Sequence, residues 1–328
     1  MTMRVTRGLP VAWDAPAALT VGNFDGVHVG HEAMLARLKH AAAERNLVTG
    51  VLTFEPHPRE FFAPDQAPVR LTSLREKIEL VAARGIDRLH VCRFNYAFAQ
   101  TPAQDFIERI LVRGFNLRWL LIGDDFRFGA RRAGDVVMLK QAARSLGFEV
   151  DAIASVTLGG ERVSSTAVRT ALQEGDLTRA ARLLNRPYSI SGRVVRGDGV
   201  GRKLGFPTAN VQMKHNRPPL TGIFAVEVAA QAAGAGERLL RGAASLGVRP
   251  TVVQGGRPVL EVHLFDFDGG LYGRHLRVDF LHKLRDEEKY ADLATLKRQI
   301  ALDVENAKAF FHRLDAKHAK ERQASEKG

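Results

Sequence analysis

In the first half of the chain, short apolar runs alternate with longer stretches whose apolar positions return every three to four residues. The runs fall at 17–22, 47–54, 86–94, 117–123 and 148–155, and each has the length and residue types of a strand. Helical periodicity spans 73–84, 101–113 and 135–146, and each stretch stops at a glycine: Gly85, Gly114 and Gly147. A further amphipathic helix opens near His31, with Met34, Leu35, Leu38 and Ala42 on one face. Repeated strand–helix units with glycine stops predict an α/β domain, a parallel sheet with helices on both faces. The proline-rich stretch 55–68 interrupts the alternation and reads as a long loop near the mouth of a site.

The pattern changes at Asn185-Arg186-Pro187. Beyond it lie β-type runs at 188–196, 222–230, 239–247, 259–267 and 276–281, with turn residues and no helices between them. A small antiparallel barrel accounts for them most economically. A last helix follows, with Asp292 as N-cap and Leu293, Leu296, Ile300, Val304, Ala307 and Phe311 in one apolar stripe that reads as core contact. Residues 315–328 read as a short, charged, disordered tail. The expectation is therefore two domains, an α/β domain at 1–186 and a β-barrel domain with a C-terminal helix at 187–328.

Composition narrows the function classes. The chain has 328 residues, 45% of them hydrophobic, enough for two cores. No apolar run approaches the length of a membrane span, and residues 1–14 carry no signal-peptide pattern. Cys92, the single cysteine, sits in an apolar run and permits neither a disulfide framework nor a cysteine metal cluster. A cytoplasmic setting is expected, without a membrane partner. The net charge is +12, yet the basic residues are spread along the chain without a basic arm or an aromatic-interleaved patch. That balance favours small polyanions such as ATP over specific nucleic-acid binding.

The densest chemistry lies in Gly22-Asn23-Phe24-Asp25-Gly26-Val27-His28-Val29-Gly30-His31, a glycine-punctuated turn between a strand and a helix. Backbone N–H groups and the positive end of a helix dipole meet at such a junction and suit it to phosphate. His28 and His31 should project to the same side, and the dipole favours them as neutral hydrogen-bond donors. An isolated histidine at a helix start is usually a polar cap. Two of them flanking Gly30, after Gly22-Asn23-Phe24-Asp25-Gly26, are a far rarer pattern. No Gly-Lys-Ser/Thr follows, and Leu35 stands where a zinc-protease helix needs its second histidine.

Two weaker signals share the domain. Gly123-Asp124-Asp125-Phe126-Arg127-Phe128-Gly129 follows a strand, so Asp125 should face the same crevice as His28. Ser164, Ser165 and Thr166 start another helix, where with Arg169 they could grip a phosphate, although such hydroxyls are usually caps.

The His28-Val29-Gly30-His31 segment resembles the HxGH signature of the nucleotidyltransferase superfamily. With Gly22 to Gly26 it is similar to the bacterial bifunctional riboflavin kinase/FMN adenylyltransferases, the prokaryotic FAD synthetases. The resemblance covers essentially the whole chain and implies a Rossmann-like nucleotidyltransferase domain. It implies that His28 and His31 contact the ATP phosphates and that Gly22, Asn23, Phe24, Asp25 and Gly30 shape the nucleotide site. It also implies that Asp125 lies near the phosphates and that Ser164, Ser165, Thr166 and Arg169 close on the polyphosphate and adenine. Where this chain has Val163, family members often carry isoleucine, and some carry asparagine in place of Asp125.

The second half contains Gly197, Gly201, Lys203 and Gly205 in a glycine- and base-rich segment ahead of Phe206-Pro207-Thr208-Ala209-Asn210. Glycines of this kind bring backbone N–H groups close to phosphates. Thr208 and Asn210, two apart on extended chain, point the same way and offer hard oxygen ligands suited to Mg2+. By composition alone this could equally be a hairpin with a capping threonine. The family resemblance identifies Pro-Thr-Ala-Asn as the riboflavin kinase motif and implies that Glu261 accepts a proton from the ribityl hydroxyl. It also matches Arg285 to a flavin-side arginine and residues 247–251 to a family segment in which Ser245 stands where asparagine is frequent.

These expectations define a magnesium-dependent enzyme for which ATP is co-substrate and FMN and FAD are products. Riboflavin, FMN and ATP are its small-molecule partners, and a weak homo-oligomer is compatible with the sequence. One alternative is a single-activity adenylyltransferase of another mononucleotide-like acceptor, which leaves Pro207–Asn210 and Glu261 unexplained. The other is a flavin- or nucleotide-responsive binding protein, against which the full set of candidate catalytic residues speaks.

Overall fold

The computed structural model describes residues 2–10, 12–215, 217–232, 235–248 and 258–325. They fall into two compact units, Met1–Ser165 and Thr166–Gly328. The first is built on a six-stranded, all-parallel sheet in the order β1-β4-β3-β2-β5-β6. Its strands are β1 (Arg4–Arg7), β2 (Ala17–Val21), β3 (Val48–Glu55), β4 (Arg88–Arg93), β5 (Leu117–Gly123) and β6 (Glu149–Ile153). Both faces are covered. Ala17, Leu19, Val21, Leu120 and Ile122 join one apolar cluster, whereas Ala18, Trp119 and Leu121 join the other, the period-2 alternation of a doubly buried sheet. The chain steps from β2 to β3 and β4 in one direction, then returns to lay β5 and β6 on the other side of β2. The strand order thus switches between β2 and β5, where a ligand crevice opens at the carboxyl ends.

The helices follow the capping signals. In α1 (Val29–Arg45) His28 is the N-cap and Asn46 the left-handed C-cap. In α3 (Leu74–Ala82) Ser73 and Glu76 form a capping box. Asp135 caps α6 (Val136–Leu146), which ends at left-handed Gly147. The stretch 101–113 is less regular than its periodicity predicts, since α5 (Ala103–Asp105) leads into a π-helical segment, Phe106–Gly114.

Two features of this unit depart from the sequence reading. Residues 55–68 are not an unstructured loop, because α2 (Pro58–Phe62) and a 3-10 turn at Pro64–Gln66 lie within them. Pro58 pre-sets the first helical residue, and His57 and Glu60 close a capping box. A second short helix, α4 (Tyr96–Ala99), follows β4. Strand β1, too short and charged to show a period, is held at the edge by His90, whose ring bridges Thr6 Oγ1 (2.8 Å) and the Gly8 carbonyl (2.9 Å). A small hairpin, β7 (Thr157–Leu158) and β8 (Glu161–Arg162), closes the unit.

The second unit opens with α7 (Ser165–Gln173) and α8 (Leu177–Leu184), so the boundary lies earlier than the composition switch at 186. The physical reason is α8. It buries Leu177, Ala180, Leu183 and Leu184 and packs on β9 and β14, so it belongs to the barrel. The barrel is closed in the order β10-β13-β12-β11-β14-β9. Its strands are β9 (Tyr188–Val195), β10 (Ala209–Gln212), β11 (Gly222–Ala232), β12 (Ala235–Val248), β13 (Pro258–Leu264) and β14 (His275–Arg285).

The expectation of no helices between these strands fails at α9 (Val200–Leu204), one turn bounded by left-handed Gly199 and Gly205. The expected disordered tail fails too. The final helix, α10 (Leu293–Ser325), continues through most of it. The segment 315–325 contains neither glycine nor proline, and Arg241 clamps Asp315 with two hydrogen bonds of 2.7 and 2.6 Å. Asp292 caps α10 through the Thr295 N–H (2.7 Å). Ala307 and Phe311 of the predicted stripe pack on Ala225 and Ala243, but Leu293 stays exposed.

Candidate active sites

The first candidate site is the turn after β2. Phe24, Gly26 and Val27 all take left-handed backbone, at φ 48°, 84° and 41°. A β-branched residue rarely adopts this, and here burial of Phe24 and Val27 in the core holds the turn. Asp25 ties it down further. Its buried carboxylate accepts hydrogen bonds from Leu71 N–H (3.0 and 3.2 Å), Thr72 N–H (3.0 Å) and the Thr72 hydroxyl (3.1 Å). The sequence placed Asp25 among the nucleotide contacts, whereas its carboxylate is occupied in shaping the turn.

The two histidines meet as predicted. Their rings stack with centroids 3.7 Å apart, and His31 lies 4.9 Å from the Phe24 ring. His31 N–H donates to His28 Nδ1 (3.3 Å), so the proton of neutral His28 sits on Nε2, where it is a donor. Gly30 admits the ring, since a Cβ there would stand 3.2 Å from it. Ser165 reaches the same turn by donating its hydroxyl to the Asp25 carbonyl (2.8 Å), with Ser164 beside it in sequence. Thr166 and Arg169 lie on α7 and belong to the second unit, so the predicted hydroxyl–arginine segment straddles the boundary.

Asp125 stands at the end of β5, exposed, with Arg162 3.1 Å away. The sequence reading missed Arg162, although its position just before Val163-Ser164-Ser165 was the available signal. It also missed the aromatic side chains at the carboxyl ends of β3 and β4. There Phe54, Phe61, Phe62 and Phe98 surround Phe94 at centroid distances of 5.5 to 6.0 Å, and Phe62 and Tyr96 are exposed. A wide, open hollow of about 570 Å³, lined in part by Pro16, Arg45, Leu47 and Arg118, lies at the amino ends of the strands and holds none of the candidates.

The second candidate site is a pocket of about 300 Å³ lined by Arg196, Gly197, Gly199, Arg202, Thr208, Asn210 and Tyr272. Here the predicted pieces converge. Asn210 is the register partner of Glu261, and Glu261 is in turn the partner of Ser245, a row across β10, β13 and β12. The Thr208 hydroxyl donates to Glu261 Oε2 (3.3 Å). Gly197 is essential to this packing, because a Cβ would come within 2.4 Å of the Asn210 amide. A Cβ on Gly201 would meet the Phe206 carbonyl at 2.4 Å. His263 Nδ1 lies 2.9 Å from the Pro207 carbonyl and so donates to it, fixing the turn before Thr208.

Lys203 is exposed on α9 and Gly205 is its C-cap, and neither lines the pocket. Tyr272, Arg196 and Arg202 do. Arg202 lies 3.4 Å from the Tyr272 hydroxyl and the Arg196 guanidinium 6.0 Å from its ring. A tyrosine set among Gly269, Gly270 and Gly273 was the available sequence signal for it. Arg285, expected on the flavin side, spends its guanidinium on buried Asp303 of α10 through bonds of 2.8 and 2.7 Å. It anchors the helix to the barrel. Of the matched segment 247–251, Gly247 and Val248 end β12, and residues 249–251 lie outside the described residues.

Comparison with known proteins matches the two halves of the chain to different families. The FAD synthetase family profile matches residues 12–167, and the riboflavin kinase profile matches residues 184–311. A protein of Escherichia coli (strain K12) named bifunctional riboflavin kinase/FMN adenylyltransferase is 47% identical over 94% of this chain and 98% of its own. One of the same name from Pseudomonas fluorescens is 47% identical over 88% and 91%. A crystal structure from Streptococcus pneumoniae, described as a macrolide-efflux protein, matches with a TM-score of 0.78 at 26% identity, over 92% of this chain and 97% of that one. Two domain profiles in order and near full-length identity of this level leave a single assignment: the chain belongs to the bifunctional riboflavin kinase/FMN adenylyltransferase family.

Proposed function

We propose that the chain uses its two phosphate sites for the two reactions of its family. Riboflavin is phosphorylated by ATP to FMN in the barrel, and FMN is adenylylated by ATP to FAD in the α/β unit. The observation that carries this reading is that the sites differ in chemistry. The barrel site has a carboxylate, Glu261, hydrogen-bonded to the hydroxyl of pocket-lining Thr208 and in register with Asn210, whereas the α/β site has stacked histidines at a helix start.

In the barrel, Glu261 takes the proton of the ribityl hydroxyl as that oxygen attacks the γ-phosphorus of ATP, and ADP leaves. Thr208 orients the carboxylate. Thr208 and Asn210 supply the hard oxygens that fit magnesium, and Gly197 leaves the amide its room. Among the described residues no cluster of three or more histidine, cysteine, aspartate or glutamate side chains could hold a metal. The ion would therefore be held by these two neutral oxygens together with substrate phosphates, whose charge it neutralises when bound. Arg196 and Arg202 add fixed positive charge, and Tyr272 offers a ring face.

In the α/β unit, an FMN phosphate oxygen attacks the α-phosphorus of ATP and pyrophosphate leaves. The nucleophile is already anionic, so no base is needed. His28 Nε2–H, His31 and the first N–H groups of α1 stabilise the charge that develops on the α-phosphate. Arg162, now paired with Asp125, would add positive charge toward the phosphates, and the aromatic group around Phe94 would offer flat apolar faces to an isoalloxazine ring. Within this reading the cationic surplus serves polyphosphates rather than nucleic acid. No helix among the described residues is long and apolar enough to cross a membrane, and a cytoplasmic setting fits the buried thiol of Cys92, which burial pushes up to about 12.

The test is direct. The protein incubated with riboflavin, ATP and magnesium should convert riboflavin first to FMN and then to FAD, resolved by chromatography. Formation of neither product, or of only one when each substrate is supplied, overturns the reading.

A further inference from the structure

One charged group in the α/β unit has no part in the chemistry above. Lys77, on α3, is 5% exposed. A lysine on the inward face of a helix is costly, since a methionine or leucine would fill the space without removing a charge from water. Burial lowers its pKa, and the carboxylates of Asp25 and Glu55 oppose that shift.

Its position is specific. Lys77 Nζ donates to Thr53 Oγ1 (3.4 Å), and the Thr53 hydroxyl donates onward to the Asn23 carbonyl (3.2 Å). Thr53 is fully buried at the end of β3, and Asn23 is the second residue of the turn that carries the histidines. The ammonium therefore reaches the backbone of that turn through a single hydroxyl. The Asn23 side-chain oxygen is itself buried and unpartnered among the described residues, so this carbonyl bond is what fixes Asn23 from below. The charged groups around the ammonium are Asp25 in the turn, Glu55 at the end of β3, Glu60 of α2 and Arg70. Arg70 is paired with both glutamates.

We infer that Lys77 is a positioning residue for adenylyl transfer: through Thr53 it sets the Asn23 backbone, so that His28 and His31 are held where the α-phosphate develops charge. This rests on the proposed role of the histidines. It predicts an effect on turnover more than on substrate capture, because the groups it aligns act in the transition state.

The test uses the full-length protein and assays both reactions in the same preparation, so that kinase activity reports an intact chain. Lys77→Met keeps the aliphatic stem and removes charge and donors. It should lower kcat for FAD formation from FMN by about tenfold or more, with KM for ATP changed less than threefold and riboflavin phosphorylation at the parental rate. Lys77→Arg should restore most of the loss. If Lys77→Met disrupts folding of its unit, Thr53→Val, which cuts the relay and leaves the ammonium, should still lower kcat in the same direction.

Parental kcat in Lys77→Met overturns the inference, as does a loss carried wholly by KM or a failure of Lys77→Arg to rescue. His31→Ala separates this from the underlying reading. If that variant also forms FAD at the parental rate, the histidine assignment itself fails. If it is impaired while Lys77→Met is not, only the role of Lys77 falls.

Discussion

On the proposed roles, the α/β unit and the barrel meet the same triphosphate with different materials. The first uses what regular structure supplies: a strand end, a helix start and two imidazole rings stacked 3.7 Å apart. The barrel assembles its site from glycine turns, guanidinium groups, a hydroxyl and an amide around a pocket of about 300 Å³, with the Glu261 carboxylate against that hydroxyl. The difference follows from the nucleophiles. An FMN phosphate is anionic already and asks only for alignment and charge stabilisation, whereas a ribityl hydroxyl must lose a proton to attack. In the proposed mechanism one site is therefore built around donors and the other around an acceptor.

The sharpest way to break this contrast is to remove the acceptor. Glu261→Gln keeps size and hydrogen bonding but cannot take the proton, so FMN formation should fall by about 10²–10⁴-fold while riboflavin and ATP still bind. FAD formation from added FMN should continue at the parental rate. A Glu261→Gln protein that phosphorylates riboflavin normally would show that the barrel, too, works by alignment alone.

Removing a donor from the other site is expected to cost somewhat less. His31→Ala should reduce FAD formation by about 10²–10³-fold, with FMN accumulating from riboflavin. Unchanged FAD formation would mean that the helix start, not the rings, carries the phosphate.

The two sites were also unequally legible. The histidine turn lies on a strand–helix junction whose periodicity, glycines and capping residues are local, so sequence alone placed it, along with the parallel α/β architecture around it. Asp25 shows the limit. Its spacing marked it as part of the site, but its work depends on Leu71 and Thr72, more than forty residues away in the chain, which no local pattern reveals. In the barrel the relations that matter cross strands. The register that sets Asn210 against Glu261 and Glu261 against Ser245 is invisible in one dimension, and family resemblance rather than pattern singled out Glu261. The pairing of Arg285 with Asp303 was hidden for the same reason, since Asp303 sits on another element. The tail was misread because charged composition was taken for disorder, although it lacks helix breakers and Asp315 is clamped.

The boundary between the units gives the next test. Composition put it at 186, but α8 packs on the barrel and fully buries Leu183. Leu183→Ala should therefore destabilise the kinase by about 3 kcal/mol, read as a lower temperature of half-inactivation for riboflavin phosphorylation after brief heating. Adenylyl transfer should keep its parental inactivation temperature. The opposite pattern would return α8 to the first unit.

The smallest expected effect concerns acid. His90 lies inside the α/β unit, bridging Thr6 and Gly8, and burial lowers its pKa. Burial and the nearby Arg313 lower that of His282 on the barrel, a less deeply enclosed ring stacked on Phe310. In both cases the unfolded chain binds a proton more readily than the folded one. Their stabilisation is therefore complete above the unfolded value of about 6.5 and is lost as pH falls through it toward the folded value. Heating at pH of about 7.5 and about 5.5, on either side of that value, with both activities then assayed at the higher pH, should lower the inactivation temperature of adenylyl transfer more than that of the kinase. His90→Gln, which does not titrate, should narrow that gap by flattening the adenylyl-transfer response alone. Equal falls in the two activities, or a gap that survives His90→Gln, would place the acid sensitivity of the α/β unit elsewhere than on the ring that holds β1.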